Sequence, residues 1–214
     1  MEWGGRVMAQ IMPAIGPSGE LVYSACRDSN ARHEETMETM TPNDSPSMAT
    51  RSPRILYRQA KARDGADQAE VFHHAVMQGA AAHYSVAERE AWASTMPREG
   101  SVWAARQALY TTLVATCDGR CIGFLELDVP GGHIHTLYVW PSLARRGIGS
   151  TLLLYAERML LEHGHGRASI DASRMLAESL LRRGWRDLGV EWVTRDGVRL
   201  ERRRLEKPLA AIET

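Results

Sequence analysis

Hydrophobic and polar positions change their spacing several times after Pro53, and each change marks an element. RILYRQA (54–60) alternates and predicts a strand. GADQAEVFHHAVMQGAAAHY (65–84) sets Ala69, Phe72 and Val76 three and four apart, which predicts a helix. Ser85, with Glu88 three residues on, carries a capping-box signature for a second short helix, SVAEREAWAS. A polar stretch, MPREGSVWAARQ, separates it from three β-type runs, ALYTTLVATCDG, RCIGFLELDV and HIHTLYVW. Asp118-Gly119 and Pro130-Gly131-Gly132 join these as antiparallel hairpins. A long helix follows Gly147, with Ile148, Leu152, Tyr155 and Met159 on one stripe, Leu153, Ala156 and Leu160 beside it, and a stop at Gly164. A strand RASIDA, a helix SRMLAESLLRR ended by Gly184, and a final pair, WRDLGVEWVT and GVRLERRRLE, complete a mixed α/β pattern over 54–208. Residues 1–53 show no sustained period of either kind and are expected to form a disordered extension, and 209–214 a short tail. Met40 and Met48 open a further reading, in which translation begins at one of them.

Composition narrows the class of partner. Lys plus Arg and Asp plus Glu number 26 each, so the 214-residue chain is formally neutral, and 44% of it is apolar. Neutrality removes the electrostatic case for nucleic-acid binding or for coating an anionic membrane. The basic runs LLRRGWR and RLERRRLE keep nucleic acid as a rival reading, against a solvated basic face. Cys26, Cys117 and Cys121 lack metal-ligand spacing and read as ordinary thiols of a reducing cytoplasm. No apolar run is long enough to cross a bilayer, and a homodimer is kept as an open expectation.

The stretch from His133 to Leu160 carries the chemistry. A helix opening with Gly147-Ile148-Gly149-Ser150 straight after a strand offers unpaired backbone N–H groups at its positive end, and Arg145 and Arg146 add guanidinium groups beside them. This predicts a cradle for a pyrophosphate, against the plainer reading of a tight turn. A nucleotide P-loop would need Lys and then Ser or Thr after its last Gly, and a dinucleotide fingerprint a third Gly where Leu152 stands. Neither is present.

A strand ending LYV, a proline loop, ARRGIGS and an amphipathic helix together resemble the acetyl-CoA motif of the GCN5-related N-acetyltransferase (GNAT) superfamily. Within it, His83-Tyr84-Ser85, Ala91-Trp92 and Asp171-Ala172-Ser173 resemble the YafP-like branch. The resemblance implies a GNAT fold, a mixed and mostly antiparallel sheet flanked by helices, and transfer of an acetyl group from acetyl-CoA to an amine of a small molecule or peptide. It implies that the main chain of Leu137, Tyr138 and Val139 holds the pantetheine arm, and that N–H groups from Arg145 and Arg146 through Gly147, Ile148 and Gly149 to Ser150 hold the pyrophosphate. Ala144 departs from the family's Gln or Arg, with Arg145 as its substitute, and Ser173 stands where many relatives carry a cofactor-contacting Asn. The Leu137 N–H would serve the oxyanion.

Strand alternation puts His133, His135 and Leu137 on one face, and relatives carry an acidic base at the slots of His133 or His135. An imidazole of ordinary pKa ~6.5 suits that role, and His135 is placed slightly ahead of His133 because it lies closer to the thioester. The alternatives are a half-exposed hairpin end or a metal-chelating pair, the latter without a supporting ligand. The family's acidic Tyr is Leu180 here, leaving Tyr84 and Tyr138 as substitutes or an unaided thiolate. His73, His74, His83, Tyr84, Trp92 and Trp103 are available to the acceptor pocket, with Tyr84 and Trp92 the chosen contacts, although the periodicity of AEREAWA also suits a core Trp92. The missing Tyr motivates a second reading, a non-catalytic acyl-CoA-binding module.

Overall fold

The computed structural model describes residues 14–15, 21–22 and 54–210. Two short strands, β1 (Ala14–Ile15) and β2 (Leu21–Val22), are followed by β3 (Ile55–Gln59), α1 (Gly65–His74), α2 (Val86–Ala93) and α3 (Gly100–Arg106). Three strands come next, β4 (Thr111–Cys117), β5 (Arg120–Asp128) and β6 (His133–Val139). The chain ends with α4 (Ile148–Glu162), β7 (Arg167–Ser173), α5 (Arg174–Leu181), β8 (Arg186–Arg195) and β9 (Val198–Pro208). One sheet takes all nine strands in the order β1-β2-β3-β4-β5-β6-β7-β9-β8, and β6 with β7 is its parallel pair. The rest of the expected 1–53 extension, with both candidate start methionines and Cys26, lies outside the described residues.

Two apolar layers hold the sheet. On one face α4 and α5 cover Leu113, Leu125, Leu127, Ile134, Ile170 and Leu205, all buried. The stripe of Ile148, Leu152, Leu153, Ala156 and Leu160 is buried against them as its spacing requires. On the other face α1 and α3 bring Phe72 and Trp103 against Val114 and Phe124, with ring centroids of Trp103 and Phe124 5.4 Å apart. Burying side chains of this size stabilises by about 1.5–3 kcal/mol each, so both faces of the sheet contribute to the fold.

The polar stretch 96–107 departs from its sequence reading, because GSVWAAR within it forms α3. Trp103 is 1% exposed and its indole donates to the Pro97 carbonyl at 2.9 Å, so it anchors the core and does not reach the acceptor pocket. The helix from Gly65 widens into a π turn over Ala75–Gly79, closed by Ala80 N–H to Ala75 O at 3.1 Å. Ser85 caps α2 as its spacing predicts, with Glu88 N–H to Ser85 Oγ at 3.3 Å and Ser85 N–H to Glu88 Oε2 at 2.8 Å. Among the described residues no helix is long and apolar enough to cross a membrane. The basic run of β9 is a checkerboard in which Arg202 and Arg204 meet Asp171 and Glu191, and Arg203 meets Asp187. Cys117 and Cys121 are free thiols, and burial pushes Cys121 up to about 12, which leaves it unreactive.

Candidate active site

The parallel strands β6 and β7 pair only at His133–Ser169 and Ile134–Ile170. Beyond those residues β6 continues along β5 to Val139, and β7 continues along β9 to Ser173. The sheet therefore opens as a wedge, and one edge of β6 from His135 to Val139 lacks a β7 ladder. An extended ligand can add to such an edge as a strand does.

A bulge helps to open the wedge. Glu126 pairs with Thr136 and Leu127 with Ile134, so His135 is the extra residue on β6. The extra residue resets the alternation. Ile134, Leu137 and Val139 pack on the α4 side, whereas Tyr138 packs among Phe72, Trp92 and Phe124 on the other. His133 and His135 keep company, with ring centroids 5.0 Å apart. The expected shared face for Leu137 is corrected, because the bulge turns its side chain to the opposite layer.

Eight residues, 140–147, carry the chain from the end of β6 to α4. Arg145 and the N-cap Gly147 both take positive φ, 61° and 85°, and α4 has no side-chain cap. Nothing lies within 4 Å of where a Gly147 Cβ would stand, so the glycine is there for its conformation and leaves open approach to the main chain. Thr151 N–H makes the first helical bond, to Gly147 O at 3.0 Å, leaving the N–H groups before it for an anion. A Cβ at Gly149 would meet Val139 Cγ2 at 3.6 Å and Leu137 Cδ2 at 3.8 Å, which places this helix end beside the wedge. Arg145 and Arg146 are exposed, and no ion pair engages either among the described residues. Ser150 Oγ accepts from Arg183, and a groove of about 280 Å³ runs from Ser150 and Thr151 along the outer flank of α4 to Arg183 and Lys207. These features fit a pantetheine-linked diphosphate: an open strand edge leads to an uncapped, positively flanked helix start.

The opposite side of the wedge is built from side chains. His133 is half-buried, and its Nδ1 lies 2.9 Å from Ser169 Oγ, which in turn lies 3.3 Å from Gly132 O. Burial holds the His133 pKa below its ordinary value, His135 and Arg202 lower it further, and Asp171 and Asp128 act against them. His135 is exposed and lies against Tyr110 in a tilted contact, with centroids 4.2 Å apart. Beneath them the fully buried Glu126 takes both Arg106 Nε at 2.8 Å and Arg106 Nη2 at 2.7 Å, together with Thr136 Oγ1 at 3.2 Å. Arg106 also lies 5.0 Å from the Tyr110 ring centroid.

Tyr110, Arg106 and Glu126 were not singled out by the sequence reading. The carboxylate in FLELD, flanked by leucines in a strand, was the available signal for a buried ion pair. Tyr84 and Trp92 are placed otherwise than expected. The Tyr84 hydroxyl donates to Glu201 O at 2.9 Å and accepts from Arg174 N–H at 3.0 Å, with the residue 5% exposed. It ties the helical layer to β9, with its hydroxyl proton engaged by the Glu201 carbonyl. Trp92 lies against Tyr84 and hydrogen-bonds the Tyr138 hydroxyl, and burial pushes the Tyr138 phenol up. Trp92 is therefore packing, the alternative its periodicity allowed. Ser173 caps α5, accepting Leu176 N–H at 3.3 Å. Leu180, in the slot of the missing Tyr, is fully buried.

An opened parallel pair beside an uncapped helix start is the architecture of an acyl-CoA-dependent transferase. Residues 68–206 match the family described as Acetyltransferase (GNAT) domain. A solved GCN5-related N-acetyltransferase from Rhodopseudomonas palustris, also described as "Aminotransferase, Class-II", is 32% identical, with 76% of this chain and 99% of that one aligned at a TM-score of 0.66. The PaiA N-acetyltransferase of Thermoplasma acidophilum, solved with coenzyme A, shares the fold at 23% identity, 72% and 99% coverage and a TM-score of 0.58. A mycothiol acetyltransferase of Clavibacter sepedonicus is 38% identical over 84 residues, 37% of this chain. The alignment spans 28% of that protein's length. The chain belongs to the GNAT acetyltransferase family.

Proposed function

We propose that this chain transfers the acetyl group of acetyl-CoA directly to an amine of a small molecule or peptide, with His133 as the general base. The observation that carries this is the parting of β6 from β7 beside the uncapped Gly147 helix start, with a half-buried histidine at the vertex. The β6 main chain at Leu137, Tyr138 and Val139 would bind the pantetheine arm. N–H groups from Arg145 to Ser150, with the Arg145 and Arg146 guanidiniums, would hold the diphosphate, and the Ser173 hydroxyl proton remains free to donate. Bound acetyl-CoA supplies an activated acyl carbon and a thiolate leaving group. The amine proton passes to an imidazole kept neutral by burial, while the Leu137 N–H faces the charge that gathers on the carbonyl oxygen. His135, the bulge residue nearer the open edge and in contact with Tyr110, is placed to contact the incoming amine.

Placement in the YafP-like branch rests on His83-Tyr84-Ser85, Ala91-Trp92 and Asp171-Ala172-Ser173. The buried Leu180 favours a second reading, an acyl-CoA sensor without turnover. Calorimetry with acetyl-CoA, followed by thiol release over polyamines, amino acids, aminoglycosides and peptides, separates the two. Heat of binding with turnover that His133→Ala abolishes supports the transferase. Binding without turnover supports the sensor, and no heat at millimolar coenzyme overturns both.

A further inference from the structure

His133 does not stand alone at the vertex of the wedge. Ser169 comes from β7, on the register position directly across the parallel pair from His133, and its hydroxyl lies within reach of two groups. One is His133 Nδ1 at 2.9 Å and the other Gly132 O at 3.3 Å. A serine hydroxyl has one proton to give and can accept in return. Two arrangements are possible. If Ser169 donates to Nδ1, the ring proton moves to Nε2, which has no acceptor among the described residues. If Nδ1–H donates to Ser169 Oγ and Oγ–H donates to Gly132 O, every donor is paired and Nε2 is left with a bare lone pair. The second arrangement alone makes hydrogen bonds of both the Nδ1–Oγ and the Oγ–Gly132 O contacts, and it is the one adopted.

We infer, resting on the transferase reading above, that Ser169 is a positioning residue that locks His133 in its Nδ1–H tautomer, so that Nε2 is the atom that removes the acceptor's proton. The amine N–H bond breaks as Nε2–H forms, and Nδ1–H stays on nitrogen, stabilised through Oγ by the Gly132 carbonyl. The charged groups around the ring are His135 on its own strand, Asp128 on β5, Asp171 on β7 and Arg202 on β9. The carbonyl is held by its turn. Gly132 has φ 65°, and a Cβ there would meet His165 Nδ1 at 3.0 Å, so the position is reserved for glycine. Ser169 N–H also bonds Gly132 O at 3.0 Å, fixing serine and carbonyl to each other.

Side-chain histidine nitrogen NMR of the isotope-labelled full chain reads the tautomer directly, with His133 assigned by the signals lost in His133→Asn. The expected result is a protonated Nδ1 and a bare Nε2 in the wild type. Ser169→Ala should lose that preference and lower kcat roughly ten- to a hundredfold, leaving KM for acetyl-CoA within about twofold. Ser169→Thr, which keeps the hydroxyl, should restore both. A wild-type spectrum with Nε2–H in an active enzyme overturns the tautomer assignment alone, as does a Ser169→Ala chain that keeps Nδ1–H and full kcat. Absence of wild-type thiol release with every amine, in a chain whose spectrum shows Nδ1–H, overturns the transferase reading and the base role with it.

Discussion

The two sides of the wedge are made of different material. Towards α4 the site is main chain: an unladdered β6 edge, a left-handed Gly147 and free N–H groups, with side chains as accessories. Towards β9 it is side chain, drawn from α3, β5, β6, β7 and the loop before β4, and it works only if their registers agree. A site made of main chain tolerates side-chain substitution. A side-chain site does not, and its weakest points are the buried groups that position the exposed ones.

The sharpest way to separate the two sides is His133→Ala. It should lower kcat by roughly a hundred- to ten-thousand-fold, the range of general-base contributions, and leave acetyl-CoA affinity within about twofold. Steady-state kinetics beside calorimetry would show it, and equal losses in both would mean that His133 belongs to the coenzyme side.

Next in size is the support beneath the histidines. Glu126→Ala strands the Arg106 guanidinium against a buried carboxylate site, and breaking such a pair costs about 3–5 kcal/mol. Urea denaturation should report that loss. Glu126→Gln, which keeps the shape and the Thr136 contact, should recover part of it. A loss below about 1 kcal/mol would show that the pair behaves as a surface bridge.

The mirror experiment is Gly147→Ala on the coenzyme side. No atom blocks a Cβ there, so the whole effect is conformational, about 1–2 kcal/mol for a left-handed non-glycine residue. Acetyl-CoA binding should weaken roughly tenfold, with kcat at saturating coenzyme little changed. A collapse of kcat instead would mean that the helix start aligns the thioester as well as gripping the diphosphate.

The same division decides what was legible in the sequence. Both hairpins, the Ser85 cap and the left-handed Gly147 at the start of α4 are local, and residues a few positions apart specify them. The GSVWAAR helix was hidden because seven residues with two glycine or serine positions give too little periodicity, and its burial is set by Phe72 and Phe124 far away in sequence. His133 and His135 were found as a pair, but the bulge that puts Leu137 on the other layer depends on β5 register, which alternation alone does not carry. The hydrogen bonds of Tyr84 are not legible locally, since its partners lie 117 and 90 positions away.

The smallest effect tests the coupling inside the side-chain half. Burial is the first cause that depresses His133, and the neighbouring His135 is the second. A base whose folded pKa lies below its unfolded value of about 6.5 gives an acid limb of activity below that pH. It also contributes stability that is present above about pH 6.5 and is lost as pH falls towards the lower folded pKa, because the unfolded chain then binds more protons. His135→Gln removes a like charge and leaves the burial in place. The acid limb should therefore move upward by less than about one pH unit and stay below that of a free imidazole. The acid loss of stability should shrink in step, as read from urea midpoints over the same pH range. A limb that moves downward, or that stays fixed while the stability curve shifts, would assign the titrating base to a group other than His133.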